Sequence, residues 1–365
     1  MKLTAEETAR AADFFTQAIA KLVKHPVRLM EVCGTHTVSI FRSGIRQLLP
    51  DTVELVSGPG CPVCVTPNEY LDTAIAYSGR KNTILTTFGD MLKVPGSQST
   101  LMAEKTQGAD IRIVYSPLDS LAVARENPEK VVIFLAVGFE TTAPTAAATI
   151  LQAEQQGLDN FFVLSAHKLV PPALRTILSA PDIRVDGFLL PGHTAAISGL
   201  APYQFVASEY QVPAVVTGFE ALDILQGIYM LLAQIANNKA EVANQYRRVV
   251  KPAGNEAACR ILQQVYQPAP AIWRGFGEIA DSGLVLKPQY SGFDAKARLP
   301  LAAVVTREPS GCRCGEVLCG RIRPEDCPHF GLSCTPEHPV GACMVSVEGA
   351  CAAWYKYGQG RWNYA

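Results

Sequence analysis

Residues 131–142 read VVIFLAVGFETT, an apolar run that is followed directly by glycine and then by polar side chains. A run that is apolar at every position is typical of a strand buried on both faces of a sheet. Similar short runs, most of them separated by helix-like segments, occur at 27–32, 53–57, 83–87, 111–115, 161–165, 186–190 and 214–217. This alternation predicts an α/β fold whose parallel strands are covered by helices on both sides.

A short internal repeat bears on the number of domains. AVGFETT at 136–142 and VTGFEAL at 216–222 both place Gly-Phe-Glu directly after a strand. The match favours two similar Rossmann-like parallel-sheet domains over one large sheet, although three residues can also agree by coincidence. We therefore predict an N-terminal helix within 1–25, α/β domains at 26–128 and 129–250, and an irregular, cysteine-rich domain at 251–365.

Composition and charge argue against several classes of protein. The chain has 365 residues, of which 48% are hydrophobic and 18% charged, and its net charge is −1. This charge gives no electrostatic reason to expect nucleic acid or an anionic membrane as a partner. The longest apolar run is too short to span a bilayer, and the N-terminus lacks the apolar core of a secretory signal. We expect a soluble, cytoplasmic protein, in which clustered cysteines indicate metal or redox chemistry rather than structural disulfides.

The segments that follow the predicted strands carry most of the chemically reactive residues. Ligands of open α/β sheets bind beyond the carboxyl ends of the strands, so a site is expected there. The segments are CGTHT (33–37), GPGCPVC (58–64), FGD (88–90), GFETT (138–142), PGHT (191–194) and GFE (218–220). None of them has the spacing of a dinucleotide-binding or phosphate-binding loop. The candidate reactive residues are Cys33, His36, Cys61 and Cys64, and the candidate substrate-binding residues are Asp90, Glu140, His193 and Glu220.

Cys61 and Cys64 form a C-x-x-C pair, which occurs once in this chain. A zinc site would need two further ligands, and no second pair of this kind supplies them, so a redox dithiol is the better interpretation. TPNE at 66–69 predicts a capping box in which Thr66 is the N-cap. The pair would then precede a helix N-terminus, whose dipole lowers thiol pKa values.

Cys33 and His36 lie close together in CGTHT, again just after a predicted strand. A cysteine and a histidine at this spacing can act as a nucleophile with its base, or as two ligands of a soft transition metal. An isolated histidine is more often a hydrogen-bonded structural residue, but the neighbouring thiol, which we expect to be of the exposed type, favours a functional role.

Seven of the eleven cysteines lie between Cys312 and Cys351. Zinc modules usually show paired short cysteine spacings, and here only Cys312 and Cys314 are close together. Cys327 is followed by proline, as in many iron–sulfur sequences. Spacing such as that of Cys314, Cys327, Cys334 and Cys351 suits a [4Fe-4S] cluster bound from separate loops, but the spacing alone leaves open which four cysteines are ligands.

Taken together, these motifs resemble those of the hydrogenase maturation factor family HypD. The similar stretches, which span nearly the whole chain in order, are MEVCGTHT, GPGCPVCVTP, FGDMLKVPGS, GFETTAPT, LLPGHTAAISG, GFEALDILQG, NQYRRVV and CGEVLCGRIRPEDCPHFGLSCTP…GACMVSVEGACAAWY. The resemblance implies two similar α/β domains and a third domain with a [4Fe-4S] cluster. It also implies a scaffold that works with the small chaperone HypC and carries iron while cyanide, delivered by HypE, and carbon monoxide are attached for the large subunit of a [NiFe] hydrogenase.

The resemblance also implies roles for individual residues. Cys33 and His36 would belong to the iron-handling site, where Cys33 binds the iron transiently, and Cys61 and Cys64 would be the redox pair. The implied cluster ligands are Cys314, Cys327, Cys334 and Cys351. The cysteines outside this pattern are Cys312, Cys319 and Cys343, and Cys312 lies close enough in sequence to take the place of Cys314.

Our hypothesis is a maturation factor with thiol and electron-transfer chemistry rather than a conventional enzyme. Release of cyanide from a thiocyanate needs two electrons, which oxidation of the dithiol Cys61/Cys64 supplies, and the cluster would reset this pair. The main competing hypothesis is a stand-alone iron–sulfur and dithiol oxidoreductase acting on a small substrate. The motifs are also compatible with a pure assembly platform or with a zinc-stabilised binding protein.

Overall fold

A computed structural model describes residues 4–358. Residues 1–3 of the predicted segment 1–25 and residues 359–365 of the predicted segment 251–365 therefore lie outside the described residues. The strands are β1 (Val27–Glu31), β2 (Val53–Ser57), β3 (Thr83–Thr87), β4 (Asp110–Ile113), β5 (Val131–Ala136), β6 (Phe161–Ser165), β7 (Gly187–Pro191), β8 (Ala214–Thr217), β9 (Val242–Asn244), β10 (Tyr266–Trp273) and β11 (Gly277–Leu286). All eight strands predicted from apolar runs are confirmed within two residues at each end. The structure adds β9, which is too short to show a pattern, and the β10–β11 hairpin.

The helices alternate with the strands as predicted in the first part of the chain. They are α1 (Ala5–Leu22), α2 (Gly34–Arg42), α3 (Ile45–Leu48), α4 (Pro62–Val65), α5 (Asn68–Ser78), α6 (Leu101–Thr106), α7 (Asp119–Glu126), α8 (Ala143–Gln155), α9 (Val170–Ser179), α10 (Gly192–Ser198), α11 (Gln204–Ser208), α12 (Ala221–Ala236), α13 (Glu256–Val265), α14 (Ala295–Arg298), α15 (Cys314–Leu318), α16 (Ala342–Val345) and α17 (Ala350–Tyr357). Short 3₁₀ helices occupy Gly89–Lys93, Ala201–Tyr203, Pro288–Phe293 and Pro324–Asp326. Among residues 4–358, none of the helices combines the length and the apolar character that crossing a bilayer requires.

Two parallel sheets form the body of the molecule. Sheet A has the strand order β2-β1-β7-β8-β9 and sheet B has the order β4-β3-β5-β6. Every neighbouring pair of strands in both sheets is parallel. The structure therefore confirms the predicted fold class, in which two Rossmann-like sheets are combined with a cysteine-rich C-terminal region.

The predicted division at residue 128 does not follow the two sheets. It falls between β4 and β5, and both of these strands pair with β3 in sheet B. The chain builds the first two strands of sheet A, crosses to build all of sheet B, and then returns to add β7, β8 and β9 to sheet A. The Gly-Phe-Glu repeat still marks one position in each sheet, since Gly138 follows β5 and Gly218 follows β8.

The N-terminal helix α1 packs on sheet A through α12. Ile19 is completely buried, and the Phe15 ring lies 5.7 Å from that of Tyr229 on α12. Thr4 caps this helix, with the reciprocal Glu7 hydrogen bond of a capping box. The sequence predicted this helix but not its position, because an apolar stripe does not identify the surface that covers it.

The cysteine-rich region 299–358 has little regular structure and is held against the sheets by polar contacts. Arg28 of β1 donates a hydrogen bond to the carbonyl of Gly320. Arg323 pairs with Glu54 of β2 at 3.0 Å, and Arg321 pairs with Asp182 at 2.6 Å. These contacts place the cysteine-rich region beside the strands that carry Cys33 and Cys61.

Candidate functional site

A cavity of about 530 Å³ lies where the carboxyl ends of sheets A and B meet. Its lining includes residues from five of the six predicted strand-end segments: CGTHT, GPGCPVC, FGD, GFETT and PGHT. Cys33, Cys61, Asp90 and His193 all line it. The structure thus brings these four predicted residues together around one cavity.

Two glycines allow the Cys33 and Cys61 loops to touch through their backbones. The Gly34 N–H donates to the Gly60 carbonyl at 3.0 Å. A Cβ atom at position 60 would lie within 3.0 Å of the Cys33 backbone, and one at position 34 would collide with Glu348. Glycine is needed at both positions because each is the point of closest approach between chain segments.

Cys33 is the N-cap residue of α2 and is only 7% exposed. Burial, together with the nearby Glu348 carboxylate, raises the pKa of its thiol to about 12. The expectation of an exposed-type thiol is thus wrong, because the helix N-terminus does not outweigh desolvation. A metal cation that replaced the proton would remove this penalty, which suits a thiol that acts as a ligand.

His36 does not line the cavity. Its ring is completely buried, and Nε2 lies 3.0 Å from both the Gly218 carbonyl oxygen and the Thr217 hydroxyl. Burial lowers the pKa of His36 to about 4, so the ring is neutral at physiological pH. Phe219 stacks between His36 and His193, with ring centroids 4.7 Å and 3.8 Å away respectively. His193, rather than His36, presents an imidazole to the cavity.

Cys61 and Cys64 belong to the single-turn helix α4. Cys61 is its N-cap, and its sulfur accepts a hydrogen bond from the Cys64 N–H at 3.4 Å. The predicted capping box at Thr66 is wrong: Pro67 is the N-cap of α5, and the Thr66 hydroxyl donates instead to the Pro62 carbonyl at 2.8 Å. The proline at the start of α4 supplies the fixed φ that a first helical turn needs.

Cys64 faces away from the cavity and is fully buried. Its thiol lies 3.9 Å from the Ala342 carbonyl oxygen and is next to Cys343. Burial raises the pKa of Cys64 well above its usual value, so the predicted lowering of its pKa is wrong. The dipole of α5, which begins four residues later, does not offset complete desolvation.

The two candidate glutamates lie outside the cavity. Glu140 is buried and accepts a hydrogen bond from the Val170 N–H at 2.8 Å, and burial raises the pKa of this carboxyl to about 7. Glu220 is exposed and caps α12, where it lies 3.9 Å from Arg248. Both positions are explained by local structure: Glu140 holds the start of α9, and Glu220 holds the start of α12.

The sequence did not identify the residues that the cysteine-rich region adds to the cavity. Ser346 and Glu348 line it, and Glu348 accepts a hydrogen bond from the Thr35 hydroxyl at 2.6 Å. The Ser346 hydroxyl donates to Asp90 at 3.1 Å. The one available signal for Glu348 was its place in SVEGAC, three residues before the candidate cluster ligand Cys351. The sequence does not show that the Glu348 carboxylate lies close to Cys33.

The cysteine-rich region brings several thiols together next to Cys64. The Cys314 and Cys343 sulfurs are 2.8 Å apart. Cys312 lies beside Cys314, and Cys334 lies near Cys312 and Cys351. Cys327 is buried. Its carbonyl accepts a hydrogen bond from the N–H of Phe330, which lies four residues before Cys334 in sequence. Within residues 4–358, no group of three or more His, Cys, Asp or Glu side chains is already arranged around a single metal ion.

The donor set nevertheless fits an iron–sulfur cluster. All the clustered side chains are thiols, which are the ligands these clusters require, and they come from separate short segments. The Cys334 sulfur also accepts a hydrogen bond from the Val340 N–H at 3.3 Å, the kind of contact that tunes cluster potentials. By contrast, Cys319 and Cys259 lie apart, where their thiols donate to the carbonyls of Gly275 and Ile197.

Comparison with known proteins shows similarity to one protein family. The family model HypD, described as "Hydrogenase formation hypA family", matches residues 10–358. The chain belongs to the HypD family. The chain is 46% identical over 360 residues to the hydrogenase maturation factor HypD of Rhodobacter capsulatus, and this match covers 97% of this chain and 94% of that protein. It is 47% identical over 337 residues to HypD of Escherichia coli strain K12, covering 92% and 90% of the two chains.

A third relative carries a different name. The hydrogenase expression/formation protein HupD of Azotobacter chroococcum is 45% identical over 341 residues, which cover 92% of this chain and 90% of that protein. These relatives match almost from end to end, so the HypD resemblance of the sequence motifs is confirmed.

Several of the motifs that resemble HypD meet at the cavity in this structure. Tyr246 of NQYRRVV lines the cavity, and Arg248 of the same motif pairs with Asp223 of GFEALDILQG. Gln245 donates to Asp223 at 2.9 Å and accepts the Gly218 N–H at 3.1 Å. These contacts fix the segment around Phe219, which in turn positions His193 in this HypD chain.

Proposed function

We propose that this chain is a scaffold for [NiFe] hydrogenase maturation that holds iron while cyanide and carbon monoxide are attached. Membership of the HypD family supports the maturation role. A small HypC-type chaperone and a HypE-type cyanide donor are its proposed partners, and the hydrogenase large subunit is served indirectly. The site of action is the cytoplasm, where eleven cysteines can stay reduced.

The observation that carries this proposal is the placement of α4 between the cavity and the thiol cluster. Cys61 lines the cavity, whereas Cys64 contacts Cys343 on the side of the cysteine-rich region. A dithiol in this position can react with a molecule in the cavity and then exchange electrons with the thiols behind it. The two activities are thus separated by a single turn of helix.

The cargo iron binds in the cavity through Cys33. Its thiol is buried, so deprotonation is favourable only when a cation takes the place of the proton. His193 and Asp90 line the same cavity and supply further donors that suit iron. Glu348 is oriented by its hydrogen bond from Thr35 and adds negative charge beside Cys33.

The dithiol supplies the electrons for cyanide release. A thiocyanate R–S–CN reacts with the thiols of Cys61 and Cys64 to give a Cys61–Cys64 disulfide, R–SH and HCN. The S–C bond breaks, an S–S bond forms, and both thiol protons leave on the products, so atoms and electrons balance. The resulting disulfide is then reduced through the thiols of Cys343 and Cys314, which lie 2.8 Å apart.

A [4Fe-4S] cluster bound to the cysteine-rich region would supply electrons one at a time at this position. We propose Cys312, Cys327, Cys334 and Cys351 as its ligands. This set departs from the one implied by resemblance in one residue, because Cys314 contacts Cys343 and is better placed to pair with it. The neighbours of Cys334 are Cys312 and Cys351, in agreement with this set.

The decisive test is a Cys64→Ala variant of the full chain. Ligand attachment to iron should be lost, while HypC binding and the absorbance of the anaerobically purified protein remain unchanged. Normal maturation in this variant would eliminate the dithiol step and favour a passive platform. Turnover of a free small substrate without partner proteins would instead favour the stand-alone oxidoreductase, and zinc in elemental analysis would favour a zinc-stabilised binding protein.

A further inference from the structure

Arg274 lies in the turn of the β10–β11 hairpin and is only 7% exposed. Its guanidinium donates hydrogen bonds in three directions. Nε and Nη2 both donate to the Thr66 carbonyl, at 3.1 Å and 3.0 Å, and Nη2 also donates to the Asn68 side chain at 2.6 Å. Nη1 pairs with Glu308 at 3.1 Å. A buried guanidinium with this many partners has one fixed position.

The acceptors of Arg274 lie at the end of the helix that carries Cys64. In addition to the side-chain bonds to Thr66, the Arg274 backbone N–H donates to the Val65 carbonyl at 2.9 Å. The last carbonyls of a helix have no partners within the helix. Since α4 has one turn, it is not stable by itself, and its position depends on contacts of this kind.

The same hairpin turn also contacts the helix that carries Cys314. Gly275 has a φ of 84°, and a Cβ at this position would collide with the backbone of Gly315 on α15. The Cys319 thiol donates to the Gly275 carbonyl at 3.4 Å. The turn 273–276 therefore touches both α4, which carries Cys64, and α15, which carries Cys314.

We infer that Arg274 is a positioning residue that holds Cys64 within reach of Cys343 for thiol–disulfide exchange. This inference rests on the proposed function, which requires that exchange. The Arg274 side chain acts on α4 through the carbonyl of its C-cap residue Thr66, and it makes no hydrogen bond to Cys64 or Cys343 among the described residues.

The exchange itself needs no outside reagent. The Cys343 thiolate attacks the Cys64 sulfur of the Cys61–Cys64 disulfide, a Cys64–Cys343 bond forms, and Cys61 leaves as a thiolate. Cys314 then attacks Cys343, which forms the Cys314–Cys343 bond and releases Cys64. Two electrons pass from one pair to the other, and the proton of each attacking thiol is balanced by protonation of the thiolate that leaves.

The test traps the intermediate bond. In a Cys61→Ser, Cys314→Ser background, Cys64 and Cys343 have lost the partners that would resolve a bond between them. The full chain is purified anaerobically and treated with diamide, and the Cys64–Cys343 linkage is quantified by mass spectrometry of non-reduced peptides. We expect the linkage to form in this background and its initial rate to fall about tenfold when Arg274→Met is added.

Two further variants show whether the rate depends on the hydrogen-bond geometry of Arg274, on its charge alone, or on a general loss of folding. Arg274→Lys keeps the charge but not the fork of donors, so it should restore only part of the rate. Arg112→Met removes an arginine that pairs with Asp110 within β4 of sheet B, and it should leave the rate unchanged. Circular dichroism melting curves show which variants are folded.

The remaining outcomes contradict either the positioning role alone or the exchange step together with the positioning role. An unchanged linkage rate in a folded Arg274→Met or Arg274→Lys variant overturns the positioning role but leaves the proposed function intact. If the background protein forms no Cys64–Cys343 linkage, the exchange step fails, and the positioning role fails with it.

Discussion

Cys61 and Cys64 lie within one turn of helix, yet they face different parts of the molecule. Cys61 borders the cavity at the strand ends, and Cys64 is buried against Ala342 and Cys343 of the cysteine-rich region. The i, i+3 spacing keeps the two sulfurs close enough to form a disulfide while each has its own neighbours. In the proposed function, this placement connects the chemistry in the cavity to the thiol cluster.

The first prediction distinguishes the two closely spaced cysteines at the start of the cluster. Cys312→Ser should lose the visible absorbance and the iron content of the anaerobically purified protein, because Cys312 is a proposed ligand. Cys314→Ser should keep both, because Cys314 lies 2.8 Å from Cys343 and pairs with it. The reverse result, in which only Cys314→Ser loses the absorbance, would restore the ligand set implied by resemblance.

The second prediction concerns the close approach of the Cys33 and Cys61 loops. Gly60→Ala places a methyl group within 3.0 Å of the Cys33 backbone, so the two loops must separate. We expect a loss of roughly 1–3 kcal/mol of stability together with impaired iron retention. The matched control is Gly292→Ala, where the added methyl group has no neighbour within 4 Å. Equal melting temperatures for the two variants would contradict the proposed close packing.

The third prediction concerns pH and Glu140. Burial raises the pKa of this carboxyl from 4.5 to about 7, so the folded state binds its proton more tightly than the unfolded state does. The unfolded chain therefore binds fewer protons between these pH values, and stability falls as the pH rises from about 4.5 through 7. Glu140→Gln keeps an acceptor for the Val170 N–H and cannot ionise, so its melting temperature should exceed that of the wild type above pH 7.

The comparison for this prediction is made at two pH values. Near pH 4.5, where the wild-type carboxyl is protonated in the folded state, the variant and the wild type should melt at similar temperatures. Glu129→Gln, which changes an exposed glutamate, is the matched control. A Glu140→Gln variant that is less stable than the wild type at about pH 8 would contradict the burial penalty on the carboxylate.

The fourth prediction separates the two histidines on either side of Phe219. His193→Ala removes an imidazole that lines the cavity and should reduce iron retention. His36→Gln should leave iron retention largely unchanged but lower the melting temperature, because it disturbs buried hydrogen bonds to Gly218 and Thr217 worth about 1–3 kcal/mol. Iron content is measured by elemental analysis after anaerobic loading. Greater iron loss in His36→Gln than in His193→Ala would return His36 to the iron site.

Local sequence patterns were sufficient to specify the strands, the helices between them and the positions of most of the reactive residues. Eight short apolar runs indicated buried strands, because burial on both faces of a sheet leaves no position for a polar residue. Because ligands of open α/β sheets bind beyond the carboxyl ends of the strands, the segments that carry Cys33, Cys61, Asp90 and His193 could be predicted to lie close together.

Long-range packing was needed to establish which strands share a sheet and which thiols are buried. The division at residue 128 did not follow the sheets because pairing of β3 with β5 depends on contacts between segments that no local pattern encodes. The low thiol pKa expected at Cys64 was reversed for a related reason: the helix turn is local, but the thiol is buried against the segment around Ala342, far away in sequence. Local sequence sets the backbone, and burial by distant segments sets the chemistry of the side chains.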